Sequence, residues 1–176
     1  MQCVAYSEMF KRHAAGRCLE VGSEMKLGLA ILVENPREVG ADRLANAVGA
    51  FDRFAGPCVA VDFGTSTNFD VVSGEGAYLG GAIGPGLEVS IEALNQRTAK
   101  LPRIDLAEPS AAIGRNTEAA MHSGFIYGFA GLVDGIARRV EAEIGTDAAF
   151  VATGGLAGTV APHCETIDEI DPLLTL

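Results

Sequence analysis

An α/β fold, an antiparallel meander joined to parallel strands and flanked by helices, is what this sequence predicts, and three observations carry the prediction. Three β-type runs lie close together between Cys58 and Ile83, separated by turn chemistry. On both sides of them, in 42–54 and 116–144, apolar residues recur at helical spacing. A further apolar run, Ala149 to Ala152, ends in Thr153-Gly154-Gly155, the strand-to-glycine junction where open α/β sheets gather ligands.

Ser7 to Gly16 reads as a short helix and the alternating Cys18-Leu19-Glu20-Val21 as a strand. Gly40-Ala41-Asp42 opens a helix with apolar positions Leu44, Ala47, Val48, Phe51 and Phe54, ending before Gly56-Pro57. Asp42 therefore sits near a helix start. Cys58 to Phe63 is a Val-rich strand, Gly64 to Asn68 a turn, and Phe69 to Ser73 a second strand. Ser73-Gly74-Glu75-Gly76 then turns into a third, Ala77 to Ile83. Gly84-Pro85-Gly86 stops that strand and starts an amphipathic helix to about Thr98, with Leu87, Ile91 and Leu94 on one face. After a proline-marked loop, Asn116 or Thr117 caps a long helix to about Ile144, striped by Val133, Ala137, Val140 and Ile144.

Within that helix Gly124, Gly128, Gly131 and Gly135 fall on one face, although each glycine costs roughly 1 kcal/mol relative to alanine. A close backbone approach offsets such a cost, either to another element of the same chain or across a dimer interface. The intrachain contact is the simpler expectation.

A chain of 176 residues, 48% apolar and 20% charged, can bury one core. Its formal net charge of −10, with no cluster of Lys or Arg, argues against a nucleic-acid partner. An anionic small ligand would have to be held by backbone N–H groups, a few placed arginines and a cation. Cys3, Cys18, Cys58 and Cys164 are scattered and match neither a disulfide framework nor a zinc site, which fits a reducing cytoplasm. The sequence has neither a basic-then-apolar leader nor a membrane-length apolar run, so no membrane role is expected.

Four motifs can carry chemistry. In Asp62-Phe63-Gly64-Thr65-Ser66-Thr67 a carboxylate leaves a buried strand and can hold a cation, while Gly64 and Thr65 can approach a phosphate; the same residues also suit an ordinary hairpin turn. In Gly40-Ala41-Asp42-Arg43, Asp42 suits a general base and Arg43 a fork onto a carboxylate, whereas an Asp in a first helical turn also simply complements the helix dipole. Gly114-Arg115-Asn116-Thr117 offers a helix N-terminus to an anionic or amide-bearing ligand, or is only a cap. Thr153-Gly154-Gly155 lets an adenine or ribose lie against the backbone, or is only a turn. His13, His122 and His163 stand apart from all four. P-loop, zincin and nucleophile-elbow motifs do not occur.

Taken in order, Asn35-Pro36-Arg37-Glu38-Val39-Gly40-Ala41-Asp42-Arg43, Asp62-Phe63-Gly64-Thr65, Gly80-Gly81-Ala82-Ile83-Gly84-Pro85-Gly86, Gly114-Arg115-Asn116-Thr117 and Ala152-Thr153-Gly154-Gly155 resemble the type III pantothenate kinases. The resemblance implies an actin-like (ribonuclease H-like) kinase domain that acts as a homodimer and phosphorylates pantothenate with ATP and Mg2+, the first step of coenzyme A synthesis. It implies Asp42 as proton acceptor, with Gly40, Ala41, Asp42, Arg43 and Thr117 binding pantothenate. Asp62 would hold a monovalent cation, K+ or NH4+, and Thr65, with Gly64, Gly154 and Gly155, would face ATP. It also tilts the glycine face of Gly124, Gly128, Gly131 and Gly135 towards an intersubunit contact.

On this resemblance residues 1–35 are a remnant of the first actin-like subdomain and 36–176 the second. Family members open with a D-x-G-N-T phosphate motif that has no counterpart before Asn35, and continue past Thr175-Leu176 into a closing helix. The expectation is a chain with little kinase activity by itself. The alternatives are a non-catalytic dimerising remnant and an actin-like phosphotransferase with another acceptor.

Overall fold

The structure, a computed structural model, describes residue 22 and residues 24–98 and 101–176. The expected helix at 7–16 and strand at 18–21 lie outside the described residues. Six strands form one sheet: β1 (Ala30–Ile31), β2 (Cys58–Phe63), β3 (Ser66–Val72), β4 (Ala77–Pro85), β5 (Ala149–Thr153) and β6 (Glu169–Ile170). The helices are α1 (Ala41–Phe54), α2 (Leu87–Arg97), α3 (Thr117–Ile144) and the single turn α4 (Ala157–Val160).

The strand order is β1-β4-β3-β2-β5-β6. β2, β3 and β4 pair antiparallel, as the meander predicted. β5 joins β2 in parallel and β6 joins β5, so a crossover through α2 and α3 separates neighbours in the sheet. An antiparallel trio flanked by two parallel strands is the ribonuclease H-like arrangement expected of an actin-like kinase domain. β1, from the first 35 residues, pairs in parallel with the far edge of β4.

Each face of the sheet buries a separate core. On one, α3 lays Ile126, Phe129, Val133 and Ala137 over Val59, Val61, Phe69 and Val71. Burying an aliphatic or aromatic side chain of this kind contributes roughly 1.5–3 kcal/mol, which secures the long helix along its inner stripe. On the other face α1 packs Leu44, Ala47 and Ala50 over Cys58, Ala60, Val72 and Tyr78. Asn116 caps α3 by accepting from the Ala119 amide at 2.8 Å, and Gly145, at φ 73°, ends it. The buried Asp134 fastens the C-terminal loop to α3, its Oδ1 accepting from the amides of Glu165 (2.9 Å) and Thr166 (3.0 Å) and from the Thr166 hydroxyl (2.8 Å).

A bulge in β4 has consequences for the site. Val71 is opposite Gly80 but Val72 is opposite Tyr78, leaving Leu79 as the extra residue. Side chains alternate along a strand, so one inserted residue puts Tyr78 and Gly81 on the same face, the one that carries α1.

Among the described residues, nothing packs closely against the glycine face of α3. A Cβ at Gly124, Gly128 or Gly131 would meet nothing within 4 Å, and one at Gly135 would meet only Arg139 Nη1, at 3.5 Å. The intrachain approach expected from sequence is therefore corrected: α3 turns its apolar stripe, not its glycines, to the sheet. Among the described residues, no helix is long and apolar enough to cross a membrane.

Candidate active site

The first turn of α1 lies over the C-terminal end of β2, and this crossing assembles most of the predicted residues. Asp42 is exposed, and its Oδ1 accepts from the Arg43 amide at 2.9 Å, so it does serve its own helix start. One turn further on, the fully buried Asn46 donates from Nδ2 to Asp62 Oδ2 at 3.3 Å and accepts from the Thr175 hydroxyl at 2.6 Å. Burial raises the Asp62 pKa, the Asn46 hydrogen bond opposes the rise, and the negative charge of Asp42 adds to it. Asp42 and Asp62 thus share one electrostatic environment at one end of the sheet.

The other oxygen of Asp62 faces the glycine turn after β5. The register pairs Asp62 with Thr153, which puts Gly154 alongside. A Cβ at Gly154 would lie 2.4 Å from Asp62 Oδ1 and 2.7 Å from Phe63 O, and the residue has φ +91°, so glycine is required on both counts. Gly64 and Thr65 form the exposed tip of the β2–β3 hairpin beside it. Gly86 backs that tip closely, since a Cβ there would sit 2.1 Å from Thr65 O. Asp62, Gly64, Thr65, Gly154 and Gly155 therefore belong to one continuous surface.

Arg43 turns inward. Its Nε donates to Asp70 Oδ1 at 2.7 Å and its Nη2 reaches Phe69 O at 3.4 Å. Tyr78 donates to the same Asp70 oxygen at 2.9 Å. Asp70 is completely buried, and burial, only partly offset by the Arg43 charge and the Tyr78 hydrogen bond, lifts its pKa to about 6. The same neighbourhood, chiefly burial and then the Asp70 charge, pushes the Tyr78 phenol well above its usual range.

Thr117 is not brought to this surface. It is exposed at the N-terminus of α3, which packs on the opposite face of the sheet, and it lines an apolar cavity of about 330 Å³ with Leu94, Met121 and Phe125. A cavity of about 410 Å³ lies between β4 and the C-terminal half of α3, again away from Asp42. Asp42, Asp62 and the glycine turn after β5 lie together at one end of the sheet.

Among the described residues, no three His, Cys, Asp or Glu side chains converge to hold a metal ion. Asp62 offers a single carboxylate beside the Phe63 carbonyl, a set that would leave most ligands of any cation to water or a bound nucleotide.

Asn46, Asp70 and Tyr78 escaped the sequence reading. The signal for Asp70 was a carboxylate inside the apolar run Phe69-Asp70-Val71-Val72; that for Asn46 was an amide among Leu44, Ala47 and Ala50 on the inner face of a helix.

The family model described as type III pantothenate kinase matches residues 2–139. The chain is 49% identical over 170 residues to the type III pantothenate kinase of Moorella thermoacetica, covering 97% of this chain and 67% of that one. It is 49% identical over 166 residues to that of Koribacter versatilis, covering 94% and 61%. It is 50% identical over 169 residues to that of Exiguobacterium, covering 96% and 66%. The chain thus spans about two thirds of the length of the curated relatives it matches. Among solved structures, a conserved Campylobacter jejuni protein described as of the Baf transcriptional activator family superposes with TM-score 0.58 at 20% identity, covering 85% of this chain and 64% of that one, a likeness of fold. With the motifs in family order, the sheet topology of the class and near-half identity along almost the whole chain, this protein belongs to the type III pantothenate kinase family.

Proposed function

We propose that this chain carries the pantothenate-binding and general-base part of an ATP-dependent pantothenate kinase. The observation that carries the proposal is the juxtaposition of Asp42 with the Asp62 turn, which is held to the same helix by the Asn46 hydrogen bond one turn further on. In this reading Asp42 accepts the proton of the pantothenate hydroxymethyl group as its oxygen bonds to the γ-phosphorus of ATP. The bond to the β-phosphate oxygen breaks and ADP leaves. Such a transfer needs positioning and charge neutralisation more than covalent help. Gly40, Ala41 and Arg43 hold pantothenate, with the arginine facing its carboxylate. Gly64, Thr65, Gly154 and Gly155 lie against the nucleotide, and Asp62 holds K+ or NH4+ when it is bound.

Gly124, Gly128 and Gly131, exposed and with no close neighbour among the described residues, support pairing of two copies through that helix. Because Thr117 lies on the far face of its own sheet, its contact with pantothenate then has to be made in the site of a second copy.

Calorimetric titration of the chain with pantothenate tests the reading. Binding is expected for the wild type and for Asp42→Asn, which keeps the shape of the site, and at least tenfold weakening for Arg43→Ala. Absence of pantothenate binding in a folded, dimeric wild type would instead favour the non-catalytic dimerising role.

A further inference from the structure

The Arg43–Asp70 pair presents a cost without an evident structural return. Asp70 has no exposed surface and its Oδ2 has no hydrogen-bond partner, while the Arg43 side chain retains 18% exposure. An apolar side chain of similar volume at a buried strand position is generally as stable or more so than an ion pair. What the pair does achieve is geometric. A guanidinium is a rigid planar fork of five N–H donors, and among the described residues only its Nε and Nη2 find acceptors, Asp70 Oδ1 and Phe69 O. Its inner edge is thereby fixed, and Nη1 has no acceptor among the described residues.

Three further features converge on the same group. The β4 bulge brings Tyr78, fully buried, to donate to the Asp70 oxygen that Arg43 uses, so the carboxylate is itself pinned. Gly81 stands opposite Asp70 in the register, and a Cβ there would lie 1.6 Å from Phe69 O and 3.4 Å from Arg43 Nη2. Such a Cβ would collide with the β3 backbone and only touch the guanidinium, so glycine at 81 lets β3 and β4 pair directly beneath Arg43. Arg43 also directly follows Asp42 in the first turn of α1, so fixing the guanidinium fixes the spacing between a carboxylate-binding fork and a general base.

We infer that Asp70, steadied by Tyr78, is a positioning residue that sets the orientation of Arg43 for the carboxylate of the acceptor substrate. This rests on the pantothenate reading of the site. The role demands an acceptor atom at position 70 more than a charge there, since a negative charge behind Arg43 also repels the substrate carboxylate.

The test uses the 176-residue chain and two calorimetric probes, pantothenate and pantothenyl alcohol, in which a hydroxymethyl group replaces the carboxylate. Asp70→Ala is expected to raise the pantothenate Kd tenfold or more while changing the alcohol's by less than twofold. Asp70→Asn, which restores an acceptor oxygen without the charge, is expected to return pantothenate to within threefold of wild type. If Asp70→Ala does not fold, Asp70→Leu fills the same volume without an acceptor and carries the same expectation. Equal weakening for both probes, or undiminished pantothenate affinity in Asp70→Ala or Asp70→Leu, overturns the inference while leaving the site reading intact. Failure of the wild type to bind pantothenate refutes the site reading and the inference with it.

Discussion

Replacing Gly124, Gly128 and Gly131 together by alanine separates what α3 does within a chain from what it does between chains. None of the three positions would bring a Cβ within 4 Å of a described residue beyond the local helix, so the substitutions introduce no clash there. Each instead gains the helix propensity that glycine forfeits, about 1 kcal/mol, or about 3 kcal/mol for the three if they add. With a urea slope of roughly 2 kcal/mol per molar for a domain of this size, the unfolding midpoint rises by about 1.5 M. The assay is urea denaturation at low protein concentration, where a dimer has dissociated, paired with sedimentation velocity at high concentration. The triple variant is expected to be more stable as a monomer and to lose self-association, because three methyl groups now stand where two backbones approach. A lower midpoint at low concentration would mean that the glycines pack inside the chain after all. Unchanged self-association would show that copies do not meet on this face.

Other consequences follow from the same geometry. In any preparation that turns over, Asp42→Asn should lower kcat at least a hundredfold and leave the pantothenate Kd within threefold, measured by a coupled ADP assay alongside calorimetry. Gly81→Ala should destabilise the fold by about 3 kcal/mol or more, read from urea melts, since its Cβ would lie 1.6 Å from Phe69 O and force β3 and β4 apart. Asp70, its carboxyl lifted to about 6 chiefly by burial, favours the folded state fully below its unfolded pKa of about 4 and loses that contribution as pH rises through 6. The loss corresponds to roughly 3 kcal/mol, so the stability of Asp70→Asn relative to wild type should climb by about that amount between pH 4 and pH 7.5 in urea melts, and a flat difference would contradict the burial account.

Much of the fold was legible because local chemistry and tertiary structure agree. The turn expected over Gly64–Asn68 shrinks to Gly64-Thr65, because Ser66 to Asn68 pair with β2 and join β3; it and the Ser73–Gly76 turn divide the runs that become β2, β3 and β4, and Asn116 and Gly145 bound α3. Asp62, Gly64, Thr65, Gly154 and Gly155 lie side by side because a local motif in sequence becomes a turn in space, and Asp42 joins them because its helix start packs over the same strand end. Long-range pairings were not legible in this way. Nothing near Asp70 in sequence names Arg43, 27 residues earlier, as its partner, and the bulge that delivers Tyr78 is visible only in the register. Thr117 shows the converse: a helix cap is easily recognised, but which face of a sheet it serves depends on the packing of the whole helix. The two-residue strands β1 and β6 are too short to show any periodicity.

Amide chemical-shift mapping of the 15N-labelled chain tests the shared acceptor and nucleotide site most directly. Pantothenate is expected to move the resonances of Gly40 to Arg43, and ATP those of Asp62 to Ser66 and of Thr153 to Gly155. Perturbations confined to the cavity walled by Leu94, Met121 and Phe125, or no perturbation by either ligand, would contradict it.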